Sequence, residues 1–169
     1  GQNQDTNKKR LGYDPLPSQQ LFHNAQTRFK GFSGPVGSGK SRALCHEAIK
    51  LALLNAGRMG LVGAPTYPML RDVTQRALLE TLESTGIQFQ VQRSENSLTL
   101  IETGSKIIFR PVEKFERLRG TNLAWFGVDE LSYCPEESWT RLEARLRDPQ
   151  GTRLCGFRGW PQKGQEWVY

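Results

Sequence analysis

Gly34-Pro35-Val36-Gly37-Ser38-Gly39-Lys40-Ser41 decides how the rest of this chain is read. These eight residues satisfy G-x-x-x-x-G-K-[S/T] in full, a pattern that chance supplies about once per hundred chains of this composition. A glycine-rich turn lets successive backbone N–H groups wrap a β-phosphate where a Cβ would collide. Gly34, Gly37, Ser38 and Gly39 are the cradle. Lys40 is placed to reach the β- and γ-phosphates, and the Ser41 hydroxyl is the oxygen ligand for Mg²⁺. The flanks agree with such a loop. Arg28 to Ser33 alternates as a strand, and Ala43, Leu44, Ala48, Leu51, Ala52 and Leu54 recur at helical spacings up to Gly57. The helix adds its positive dipole end to the phosphate site.

A loop of this kind needs a carboxylate at the end of a neighbouring buried strand. Trp125-Phe126-Gly127-Val128-Asp129-Glu130 supplies one: an apolar run closed by two acids. Asp129 is assigned to the Mg²⁺ sphere and Glu130 to orienting the water that attacks the γ-phosphate. A glutamate beside the metal aspartate favours water over another phosphoryl acceptor, so hydrolysis is expected rather than a kinase reaction.

Outward from these two motifs, strands and helices alternate. Met59–Ala64 is a short apolar run ended by Pro65, as a buried parallel strand requires. An amphipathic helix is predicted over Tyr67–Ser84, with Leu70, Val73, Ala77, Leu78 and Leu82 on one side. Gln88–Gln92, Ser97–Ile101 and Lys106–Arg110 read as extended pieces joined by hairpin-like turns. Leu123–Val128, a helix over Glu136–Arg147 and a strand near Arg153–Phe157 complete the series, with a short helix over Gln19–Thr27 before the loop. The expected fold class is α/β: a P-loop NTPase of RecA/ASCE type, a three-layer sandwich with a mainly parallel sheet and an antiparallel β-hairpin excursion.

The 169 residues fit one domain, with residues 1–13 as a polar disordered arm and 14–169 as the ATPase domain. The hydrophobic fraction of 37% is too high for a disordered chain. No stretch approaches the ~18 consecutive apolar residues of a membrane span, and the polar N-terminus has no apolar leader core. Three cysteines, Cys45, Cys134 and Cys155, have neither CxxC spacing nor a nearby histidine pair, which argues against a zinc site or a disulfide framework. The net charge of +6 permits a polyanionic partner without specifying one.

With these motifs in place, the sequence resembles the N-terminal ATPase domain of bacteriophage large terminase subunits, the motors that drive double-stranded DNA into capsids. Pro15-x-Pro17-x-Gln19-x-x-Phe22-His23 is similar to that family's adenine-recognition segment, with Gln19 the base-reading amide and Gln20 its rival. Ala64-Pro65-Thr66-Tyr67 followed by a helix is a further likeness. Arg117-Leu118-Arg119-Gly120 ahead of the acidic strand resembles the arginine-finger segment, and Arg119 falls at the finger's position. The resemblance implies that Arg119 neutralises transition-state charge, best from a neighbouring subunit.

It also implies ATP and Mg²⁺ as cofactors, and double-stranded DNA, a capsid portal protein and a small terminase subunit as partners. A homo-oligomeric ring on the procapsid in the host cytoplasm is expected, with a monomer for the isolated domain and no membrane association. Three departures from the pattern stand out. Trp160 occupies the place of the usual Thr or Asn before Pro161 in the coupling segment. Val36 stands where many relatives carry Arg, with Arg42 adjacent. The chain ends before the lid and nuclease domain of the family.

Basic residues Arg71, Arg76, Arg93, Lys106, Arg110, Lys114 and Arg117 are candidates to grip a phosphate backbone, but acids alternate with them as on an ordinary solvated surface. A helicase-like ATPase core and a nucleotide-gated docking module without productive turnover are the alternatives to a packaging motor.

Overall fold

The computed structural model describes residues 29–33, 39–147 and 151–157. The polar arm, the helix over 19–27, Gln19, residues 34–38 of the loop and the segment 159–169 lie outside the described residues. Among the described residues the chain runs β1 (Phe29–Ser33), α1 (Lys40–Leu54), β2 (Met59–Ala64) and then a composite helix. That helix has an α-turn α2 (Tyr67–Met69), a π-helical segment (Leu70–Gln75) and α3 (Arg76–Thr85). The hairpin strands β3 (Phe89–Gln92) and β4 (Ser97–Leu100) lead into β5 (Lys106–Pro111) and a 3₁₀ segment (Val112–Leu118). There follow β6 (Trp125–Val128), a 3₁₀ turn (Leu131–Tyr133), α4 (Glu136–Glu143) and β7 (Thr152–Phe157).

One seven-stranded sheet takes the order β1-β7-β6-β2-β5-β4-β3. The first five strands in that order are parallel, and β4 and β3 add the antiparallel excursion expected from their turns. Side-chain alternation then forces two cores. Val62, Ile107, Phe109 and Trp125 point to one face, against Leu44, Ala48 and Ile49 of α1 and Leu78 and Leu82 of α3. Leu61, Ile108, Phe126 and Val128 point to the other, against Phe115, Leu118, Trp139 and Leu142. Phe126 and Trp139 meet edge-on with ring centroids 5.0 Å apart. Both faces are covered, which is why the central strands read as continuous apolar runs.

Three local departures from the expected elements have physical causes. The helix expected to reach Arg147 ends at Glu143. Its continuation is pulled into pairing with Leu123, whose N–H donates to the Arg145 carbonyl while its own carbonyl accepts from Arg147 N–H. Val112, Phe115 and Leu118, spaced by three, form a 3₁₀ segment that buries all three side chains, where the sequence reading places no element. The π-helical turn leaves Val73 50% exposed and turns Thr74 inward instead.

β1, β7, β6 and β2 are parallel neighbours, so the carboxyl ends of β1 and β6 share one edge of the sheet. The strand before the glycine-rich loop and the strand before Asp129 thus deliver their following residues to the same side, the usual ligand crevice of open α/β sheets.

Candidate functional site

Lys40 and Ser41 open α1, and Gly39 ahead of them has φ 84°, a left-handed conformation that a Cβ would strain. From this corner Ser41 reaches across 88 positions of chain. Its Oγ donates to Asp129 Oδ2 at 2.7 Å. Lys40 Nζ lies 2.5 Å from Glu130 Oε1 as an ion pair, with side chains only 5% and 14% exposed. The four residues that the sequence assigns to phosphate, metal and water are therefore together in space.

Asp129 is held at the end of β6 by continuation of the parallel ladder, its N–H donating to the Gly63 carbonyl at 2.9 Å. The residue is wholly buried. Burial pushes its carboxyl above the ordinary carboxylate range; hydroxyl hydrogen bonds from Ser41 and Thr74 and the Lys40 charge oppose this, and the Glu130 charge adds to it.

Glu130 has already left the strand. Its side chain meets Lys40 from a left-handed backbone, φ 55° and ψ 44°, and not from a strand position. Such a conformation is uncommon for a residue with a Cβ and is typical of sites where geometry outweighs local strain. Glu130 N–H donates to Asp129 Oδ1 at 3.1 Å, which ties the two acids into one unit. Glu130 Oε2 is buried and has no hydrogen-bond partner among the described residues. An acceptor left open beside Lys40 is suited to a water molecule.

One member of the site is not legible in the sequence. Thr74 Oγ1 donates to Asp129 Oδ2 at 2.9 Å from a fully buried position. The sequence reading counts the apolar Val73 on the inner face and passes over the polar Thr74, whereas the structure leaves Val73 half exposed and buries Thr74. Cys45 Sγ–H in turn donates to the Thr74 carbonyl at 3.7 Å. Burial holds the Cys45 thiol protonated, and burial with the charges of Asp129 and Glu130 pushes Cys134 up to about 12. Neither is a thiolate nucleophile.

The donor set fits Mg²⁺. Among the described residues no group of three or more His, Cys, Asp or Glu side chains could cage a metal ion. The buried Asp129 carboxylate with the Ser41 hydroxyl beside it matches the way Mg²⁺ is held, with substrate phosphates and water completing its sphere.

Arg119 is not brought to this cluster. It precedes β6, whose far end carries Asp129, and it lines a separate cavity of about 330 Å³ with Glu116, Arg141 and Arg145. The residue is exposed, and Arg141 rather than Arg119 pairs with Glu116, at 3.2 Å. The scattered basic residues are partly neutralised: Arg71 pairs with Asp72 at 2.8 Å and stacks on Tyr67, and Lys106 pairs with Glu95. Among the described residues no helix is long and apolar enough to cross a membrane.

Residues 32–169 match the protein family described as terminase large subunit, T4likevirus-type, N-terminal. Among solved structures, the chain resembles the large terminase ATPase domain of Thermus phage P74-26, with TM-score 0.73 and 23% identity over 90% of this chain and 68% of that one. The large terminase of a second, thermophilic bacteriophage gives TM-score 0.72 and 16% identity over 85% of this chain and 39% of that one. The complex of that second terminase with ADP gives TM-score 0.64 and 18% identity over 90% of this chain and 37% of that one. At these identities the likeness is one of fold. No curated protein matches the chain.

Proposed function

This chain belongs to the T4likevirus-type terminase large subunit family as its N-terminal part, and we propose that it is the ATP-hydrolysing engine of a motor that packages double-stranded viral DNA. The observation that carries the reading is the convergence of Lys40 and Ser41 on Asp129 and Glu130. A similar fold is recorded with ADP bound in the large terminase of the thermophilic bacteriophage, which supports nucleotide as the ligand.

In this scheme the residues act in sequence. The triphosphate enters at the start of α1, and Lys40 exchanges Glu130 for the phosphates. Ser41 and Asp129 would hold Mg²⁺, which would supply charge neutralisation at the phosphates. Glu130, released from Lys40, accepts a hydrogen bond from the attacking water and aligns it. The ion pair seen between Lys40 and Glu130 is thus the resting form, in which acid and cation occupy one another. Gln19 is assigned to the adenine edge.

Arg119 is assigned to the site of the next copy in a ring. Its exposure and its distance in the fold from its own Asp129 support service in trans. DNA, a portal protein and a small terminase subunit are the partners of the assembled motor.

The test is ATP turnover measured across protein concentration, with and without DNA, together with mixing of Arg119→Ala and Glu130→Gln proteins. Turnover per chain should rise with concentration, and the mixture should recover activity that neither variant has alone. Turnover that is independent of concentration and indifferent to Arg119→Ala would reject the trans role. Tight ATP binding with no turnover under any condition would favour a nucleotide-gated docking module.

A further inference from the structure

Asp129 Oδ2 accepts two hydroxyl hydrogen bonds, and only the one from Ser41 belongs to the glycine-rich loop and its helix. The other comes from Thr74, on the π-helical segment between α2 and α3. In a regular helix continuing from Leu70, Val73 and Thr74 would share the inward face. Here Leu70, Thr74, Leu78 and Leu82, four apart, are all buried, while Val73 is half exposed. The wide turn brings residue i+4, not i+3, beneath residue i. π-Turns are rare and concentrate at functional positions. Here Val73 is turned outward and Thr74 is left facing in, its hydroxyl on a buried carboxylate.

We propose that Thr74 is a positioning residue for the metal-binding carboxylate, fixing the rotation of Asp129 from an element that the glycine-rich loop does not include. The reading rests on the nucleotide-and-Mg²⁺ site proposed above. A carboxylate at the end of β6 is free to rotate about its terminal bond unless both oxygens are engaged. Glu130 N–H engages Oδ1 from its own chain direction, and Ser41 engages Oδ2. Ser41 would serve both Asp129 and the cation, whereas the Thr74 hydroxyl is assigned to Asp129 alone. Thr74 is itself buried, and Cys45 of α1 donates to its carbonyl, so the hydroxyl is held from behind.

The experiment measures binding of a fluorescent ADP analogue by the full chain as Mg²⁺ is varied, with EDTA as the metal-free limit, so that no turnover enters. Thr74→Val removes the hydroxyl at nearly constant shape, Thr74→Ala removes it with the methyl, and Thr74→Ser keeps it. Wild type and Thr74→Ser should half-saturate at similar Mg²⁺. Thr74→Val and Thr74→Ala should need about tenfold more, since hydrogen bonds to charged groups are among the stronger ones. Binding in EDTA should be alike in all folded variants.

A purely structural hydroxyl would lower the melting temperature and leave the Mg²⁺ requirement where it was. Equal requirements within about twofold for Thr74→Val and wild type would overturn the proposal, since the hydroxyl bond is then worth too little to position anything. Should Thr74→Val fail to fold, equality of Thr74→Ala and Thr74→Ser overturns it in the same way. If wild type itself shows no Mg²⁺-dependent binding, the nucleotide reading falls first, and the two failures are told apart.

Discussion

In the proposed scheme Glu130→Gln should separate binding from turnover, because the charge it removes is the one paired with Lys40 in the structure and the one assigned to orienting water. Lys40 and Glu130 meet at 2.5 Å with 5% and 14% of their side chains exposed. Removing one partner of a buried pair costs about 3–5 kcal/mol, and the residual exposure of Glu130 sets the expectation at the lower end, ~3 kcal/mol. In the proposed scheme an incoming phosphate would replace Glu130 at Lys40 in the wild type, so one favourable pair would be exchanged for another. In the variant Lys40 begins unpaired, and the phosphate restores what the substitution removed.

The nucleotide-free protein should therefore be less stable by up to ~3 kcal/mol, and nucleotide should bind up to about a hundredfold more tightly. Turnover should fall by about 10²–10⁴, the usual contribution of a positioned general base. Titration with a non-cleavable ATP analogue, a urea melt and a phosphate-release assay read the three quantities. Unchanged apo stability, with affinity equal to that of wild type, would refute the resting-pair argument. Normal turnover would refute the role of Glu130 altogether.

Two more outcomes are expected from the packing and the charge around β6. Gly60→Ala would place a Cβ 1.9 Å from Cε2 of the buried Trp125, and should destabilise by about 1–3 kcal/mol or more, seen as a lower melting temperature. An unchanged melting temperature would show that Trp125 moves aside freely. Because burial raises the pKa of Asp129, the folded protein binds this proton more readily than the unfolded chain does. Its contribution to stability is full below the ordinary carboxylate pKa and is lost as pH rises through the raised value. Denaturation of the nucleotide-free protein against pH should show that fall, and Asp129→Asn should flatten it; an identical pH profile in the variant would contradict the assignment.

Much of this architecture is legible in the sequence because its signals are local. Met59–Ala64 is bounded by Pro65 and is apolar throughout, and it is a strand over those same residues. Lys40, Ser41, Asp129 and Glu130 are identified by motif spacing, and the sheet topology that joins them follows from parallel strands. What escapes is what depends on partners distant in sequence. The end of α4 is set by Leu123, which no helix periodicity contains. The direction of Glu130 is set by a left-handed residue that alternation cannot represent. Thr74 shares a helix face with Leu70 and Leu78 at about 3.6 residues per turn, but a threonine adds nothing to an apolar pattern, so the reading picks out Val73, which the structure leaves half exposed. The spacing of Val112, Phe115 and Leu118 is a visible signal for a 3₁₀ segment, since residues three apart eclipse in that helix.

The central claim is that nucleotide and magnesium are gripped where α1 begins and β6 ends. Calorimetric titration of the chain with ADP and Mg²⁺, beside Lys40→Ala, tests it most directly. Saturable heat from the wild type that is lost in Lys40→Ala is the predicted result. No heat from the wild type, or equal binding by the variant, would contradict it.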